Sequence, residues 1–165
     1  MKYLAACLIL SSTTACASVQ YEYVDPDLTI YTTQIALVTP FVARLEAASG
    51  VQVSIVEEDC ESKAHPKEVC LKVVPAESLG NKLAGKYSAS GTIYIEDRPE
   101  VIDLVVAHEV LHWLHVDHGG DGLMGTHTGR SRNCISEWDL EALCSHHTCT
   151  KFTFECEPIE GLVAQ

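Results

Sequence analysis

Apolar residues at Ile30, Ile35, Leu37, Val38, Phe41, Val42 and Leu45 recur nearer the helical period than strict alternation. They predict a helix from about Asp27 to Ala48, kinked or restarted at Pro40 and closed by Gly50. Val51, Val53 and Ile55 then alternate with Gln52, Ser54 and Val56, which predicts a strand with one buried face. A polar loop from Glu57 to Glu68 separates it from a second strand, Val69 to Val74, ended by Pro75. The stretch from Leu79 to Ser90 carries too much Gly, Lys and Ser for a regular element, and reads as irregular chain with a short extended piece near Leu83. GTIYIED is strand-like, with Ile93 and Ile95 on one face and Thr92, Tyr94 and Glu96 on the other.

A helix is expected from near residue 98, with Asp97 as its cap, Pro99 in its first turn and Glu100 completing a capping box. Val101, Ile102, Leu104, Val105 and Val106 would bury two turns of it before His108 arrives. Further on, SEWDLEALC predicts a short last helix capped by Ser136, and KFTFE at 151–155 a strand in the tail.

A chain of 165 residues is one domain's worth, large enough for a buried core. A formal charge of -12 with only 11 Lys plus Arg leaves no basic surface for phosphates, so no nucleic-acid partner is expected. The first 17 residues have the order of an export signal: Lys2, an apolar run too short to span a membrane, and small residues. Two outcomes stay open. Ala15 and Ala17 suit ordinary signal cleavage, whereas Thr13 to Cys16 resemble the lipobox of bacterial lipoproteins, which would make a lipidated Cys16 the first mature residue and membrane anchor. The mature protein is then a single domain over residues 18–165, exported to the bacterial envelope or secreted. Six cysteines remain in it, Cys60, Cys70, Cys134, Cys144, Cys149 and Cys156, an even number that suits disulfides in an oxidising compartment. Cys60 with Cys70 is the easiest pairing, and the other four would knot the C-terminal tail.

The candidate chemistry is concentrated in HEVLHWLHVDHGGDGLM, residues 108–124. His108 and His112, four apart on a helix, present imidazoles on one face at a separation that one Zn2+ ion can bridge. Glu109 lies beside the first of them, placed to take a proton from a water polarised by such an ion. His118 is the candidate third ligand. No continuous helix can deliver it, because ten residues of helix would carry it roughly 15 Å away. The chain must turn, and Gly119, Gly120 and Gly122 suit the bending segment after it. Asp117 competes with His118 for the third position, and Glu137 or Glu141 of the last helix would fill it in a thermolysin-like arrangement. His115 lies too far along the axis for that role, Trp113 is expected to pack beside the site, and His127, His146 and His147 are expected on the surface.

HEVLHWLHVDH resembles the extended zinc signature of the metzincin metalloendopeptidases, HExxHxxGxxH, and GDGLMG resembles their Met-turn. The order of strand, motif helix, short route to a methionine and final helix is most similar to the catalytic domain of matrixins. The likeness in organisation spans roughly residues 28 to 144, and its diagnostic residues only 108 to 124. It implies an α+β zincin fold of metzincin type, with a small mixed twisted sheet, a long N-terminal helix, an active-site helix and a short C-terminal helix. It also implies His108, His112 and His118 as zinc ligands, Glu109 as general base and Met124 as a hydrophobic floor beneath the metal. The activity implied is hydrolysis of peptide bonds in a peptide or protein substrate by a monomer, with the substrate lying along the extended segment near Leu83. The alternative is an envelope protein that binds zinc or peptide without cleaving it. One position departs from the family: His115 stands where its glycine ends the helix. Thr126 and His127 occupy the region where some branches carry a tyrosine, so no tyrosine is assigned to oxyanion stabilisation.

Overall fold

The computed structural model describes residues 28–61, 65–80, 83–125 and 132–156. The segment expected to direct export, with Cys16, and His127 lie outside the described residues. The described elements, in chain order, are β1 (Leu28–Thr32), α1 (Ile35–Ser49), β2 (Val53–Glu57), β3 (Glu68–Val74), β4 (Gly85–Ser88), β5 (Thr92–Glu96), α2 (Ile102–Trp113) and α3 (Glu137–His146). They make a small α+β domain in which one five-stranded mixed sheet, ordered β2-β1-β3-β5-β4, carries the helices. Strands β1, β2, β3 and β5 run parallel, and β4 runs antiparallel to β5 as an edge strand. Helix α1 packs on α2 and β2, while α2 packs on β4 and β5, so the core lies between the helices and the sheet. Among the described residues, no helix is long and apolar enough to cross a membrane.

The first predicted helix is in fact a strand followed by a helix. LTIYT is buried along nearly its whole length as β1, wedged between β2 and β3, so its apolar residues mark a strand covered on both faces. Helix α1 starts only at Ile35 and accommodates Pro40, whose missing N–H leaves the Ala36 carbonyl without its usual helical donor. Gly50, at φ 75, closes it as expected. The second face of β5 is also covered. Thr92 and Glu96 are buried, Thr92 Oγ1 donating to the Glu61 carbonyl at 3.3 Å and Glu96 accepting the Leu79 N–H at 2.7 Å.

Three other expectations change. The region from Leu79 to Ser90 yields a true strand, β4, because its backbone finds β5 as a partner despite a composition poor in strand formers. Asp97 does not cap α2: its N–H donates to the Val74 carbonyl, so it is still held by the sheet, and α2 begins four residues later than expected at Ile102 with no side-chain cap. The tail at 151–155 forms no strand; the N–H groups of Lys151 and Thr153 donate to the carbonyls of Ser49 and Ala48 at the end of α1. All six cysteines among the described residues pair. Cys60–Cys70 closes the loop before β3, and Cys134–Cys156 and Cys144–Cys149 knot the C-terminal part.

Candidate metal centre

Helix α2 is the support of the site, and its apolar residues explain why. Val106, Ala107, Val110, Leu111 and Trp113 are buried, which fixes the rotation of the helix and turns His108 and His112 outward together. Trp113 is a core residue, as expected, at 1% exposure.

The helix then ends where the sequence places a histidine in a glycine position. The Val116 N–H donates to the Leu111 carbonyl at 3.0 Å and the His115 N–H to the His112 carbonyl at 3.1 Å, the paired bonds of a Schellman ending. His115 occupies its left-handed position at φ 66, and Val116 and Leu111 supply the apolar contact that accompanies it. A residue other than glycine there costs about 1 kcal/mol. The turn reverses the chain, and His118 comes back over the helix. His118 Nε2 lies 3.1 Å from His108 Nε2 and 3.2 Å from His112 Nε2.

These separations can be tested against a metal. Nitrogens bound tetrahedrally to zinc at 2.0–2.1 Å stand about 3.3 Å apart, so the imidazoles are already at the edge length of a coordination tetrahedron. The candidate ligand atoms all lie within 4.8 Å of one another, the group of three being the one of its kind among the described residues. The second nitrogens are engaged as a metal site requires. His108 Nδ1 donates to the Leu123 carbonyl at 2.8 Å, and His112 Nδ1 to the Val116 carbonyl at 3.0 Å. Both bonds place the ring proton on Nδ1 and leave the Nε2 lone pair pointing at the shared point. The cluster is therefore suited to chelating a divalent ion. Asp117, Glu137 and Glu141, the sequence-level rivals for the third position, are not part of it.

Glu109 lies against the edge strand, in the same cleft as the histidines. It is 7% exposed, and its carboxylate accepts the backbone N–H of Tyr87 in β4. Strand β4 comes this close because residue 85 is glycine. A Cβ there would stand 2.7 Å from Glu109 Cγ and 2.9 Å from Oε1. Burial pushes the Glu109 carboxyl up to about 7, with the Tyr87 N–H pulling in the opposite direction. Burial also pushes His112 down to about 4, helped by the neighbouring His108 and His118, so it is neutral and ready to bind a metal at ordinary pH.

The two shifts have opposite consequences for the metal-free protein. A carboxyl raised to about 7 adds stability that is complete below its unfolded value near 4.5 and is lost as pH rises to about 7. A histidine lowered to about 4 costs stability as pH falls from 6.5 toward that value. Glu109→Gln isolates the first effect. In chelator, its unfolding free energy relative to wild type should climb across this window, reaching a gain of about 2 kcal/mol at neutral pH. A flat difference would show that the carboxyl is not raised.

Met124 is fully buried in the turn that also supplies the Leu123 carbonyl to His108. This turn is fastened by a residue the sequence reading passed over. Asp139, 1% exposed on α3, accepts the N–H groups of Leu123 at 3.0 Å, Met124 at 3.1 Å and Ser136 at 2.8 Å, and the Ser136 hydroxyl at 2.9 Å. Gly122 permits the approach, since a Cβ there would collide with the Asp139 carboxylate and the Ser136 side chain. Ser136 caps α3 as the sequence predicts, and the structure adds that Asp139 completes a capping box with it while also holding the methionine turn.

The three histidines and Glu109 line one open cleft of about 870 Å³, walled by Leu83 and Ala84, by β4 from Gly85 to Tyr87 and by Leu104 and Val105 of α2. His115 and His146 stand at its rim. His146 is exposed as expected, whereas His147 is half-buried and donates from Nε2 to the Leu114 carbonyl at 3.1 Å.

The chain matches no family model and no curated protein. Among solved structures it is similar to a zinc-dependent peptidase from Methanocorpusculum labreanum, with a TM-score of 0.47 and 15% identity over 70% of this chain and 98% of that one. A likeness of that size carries no weight here, and the chemistry stands on the residues themselves.

Proposed function

We propose that this chain is an exported zinc-dependent endopeptidase of metzincin type, with His108, His112 and His118 as ligands and Glu109 as general base. The observation that carries the proposal is the convergence of three Nε2 atoms at coordination distance, beside a buried carboxyl, at the floor of an open cleft. Bound there, zinc would supply Lewis acidity to the scissile carbonyl oxygen and acidify a water in its open position.

The chain's own residues do the rest. Glu109 takes a proton from the attacking water as its oxygen bonds to the carbonyl carbon, then delivers that proton to the amine as the C–N bond breaks. A carboxyl poised near neutrality in the metal-free protein can serve in both directions. Strand β4, at the sheet edge and along the cleft, offers the backbone on which a substrate chain would add as a further strand. His115 at positive φ takes the part of the metzincin glycine, and the buried Met124 the part of the methionine under the metal. The three disulfides suit an oxidising compartment beyond the cytoplasm, with the domain acting as a monomer.

The purified mature chain should cleave casein, lose that activity in chelator and regain it when zinc is returned at one ion per chain. Cleavage that survives complete removal of metal would sink the proposal. X-ray absorption showing four protein ligands would instead favour the non-catalytic zinc-binding alternative.

A further inference from the structure

The turn that brings His118 to the other two imidazoles depends on a single peptide unit, between Leu114 and His115. Its orientation sets φ at His115, and glycine's freedom is missing there. One end of that unit is held by α2 itself, through the His115 N–H on the His112 carbonyl. The Schellman bonds leave the Leu114 carbonyl without a helical partner, and Leu114 is completely buried, so this oxygen needs a donor from elsewhere. His147 provides it, with Nε2 at 3.1 Å. The neighbouring His146 ring lies 5.8 Å, centroid to centroid, from the ring of His115. Both histidines sit in the short segment between Cys144 and Cys149, closed by their disulfide at the end of α3.

We propose that this bridged segment is a clamp on the third ligand. His147 and the Cys144–Cys149 bridge act as positioning elements that hold the carbonyl end of the Leu114–His115 peptide, whose N–H end α2 already holds, keep His115 at positive φ, and so preset His118 for metal. The clamp replaces what glycine supplies elsewhere, and it rests on the zinc site proposed above. A surface role for His147 would leave its half-buried ring and the Leu114 carbonyl unexplained.

A double-mutant cycle between His147→Ala and His115→Gly tests this, read out as zinc dissociation constant by chelator competition. With His115 present, His147→Ala should weaken zinc binding about three- to tenfold, the worth of one buried hydrogen bond. In the His115→Gly background the same change should cost less than about twofold, because glycine holds the turn unaided. His147→Gln, which keeps an N–H donor, should recover much of the loss, and Cys144→Ser with Cys149→Ser should show the same dependence on residue 115. An equal loss in both backgrounds would reduce His147 to a general stabiliser, and no loss in either would remove the clamp altogether. Failure of the wild-type chain to bind zinc would overturn the parent proposal, an outcome separate from both.

Discussion

Glu109→Gln should leave zinc bound at one ion per chain while lowering kcat/KM on casein by about 10²- to 10⁴-fold, the range contributed by a positioned general base. The substitution keeps the shape of the side chain and an oxygen for the Tyr87 N–H, so β4 should stay in place. What it removes is the capacity to take and return a proton. The three imidazoles do not depend on that carboxyl for their geometry, since His108 and His112 are oriented by the carbonyls of Leu123 and Val116. Zinc content and activity should therefore part company in this variant. If both are lost together, Glu109 supports the site rather than moving the proton.

The largest loss of stability is expected from Asp139→Ala. A buried carboxylate that accepts three backbone N–H groups and a hydroxyl leaves several donors stranded when it is deleted, and water has little access to a site 1% exposed. About 3–5 kcal/mol is the expected cost, lowering the melting temperature by about 10 °C or more. Because the Leu123 carbonyl orients His108, zinc affinity should fall with it. Glu141→Ala, on an exposed position of the same helix, serves as the control and should change stability by no more than about 0.5 kcal/mol. A stable Asp139→Ala protein with unaltered zinc affinity would mean that the turn around Met124 is held by other contacts.

These two residues mark where the sequence was legible and where it was not. The ligands and Glu109 lie within eleven consecutive residues, from His108 to His118, so helical spacing and a required turn sufficed to bring them together. The left-handed turn at His115 was implied only by the resemblance, which has a glycine at that place; the route to His118 required a turn without locating it. Asp139, Gly85 and His147 could not be read in the same way. Each matters through a partner far along the chain, respectively the Leu123–Met124 turn, Glu109 and Leu114, and no local period encodes such a pairing. Strand β1 failed for a different reason. Five residues buried on both faces show no alternation, and their apolar positions ran on into those of α1. Strand β4 was hidden by its composition: Gly, Lys, Tyr and Ser make a strand because β5 and α2 hold them there.

The compactness of the ligand set along the chain bears on how preparations of this protein should be judged. Under the proposed chemistry, a segment of eleven residues can capture an ion with little help from the sheet, whereas Glu109 acquires its environment only when β4, more than twenty residues upstream, has docked against α2. A chain that has misassembled its disulfides or left its edge strand loose could still carry a full complement of zinc. Metal stoichiometry would then overstate the catalytically competent fraction, and titration of active sites with a tight inhibitor would be the sounder measure of how much enzyme is present.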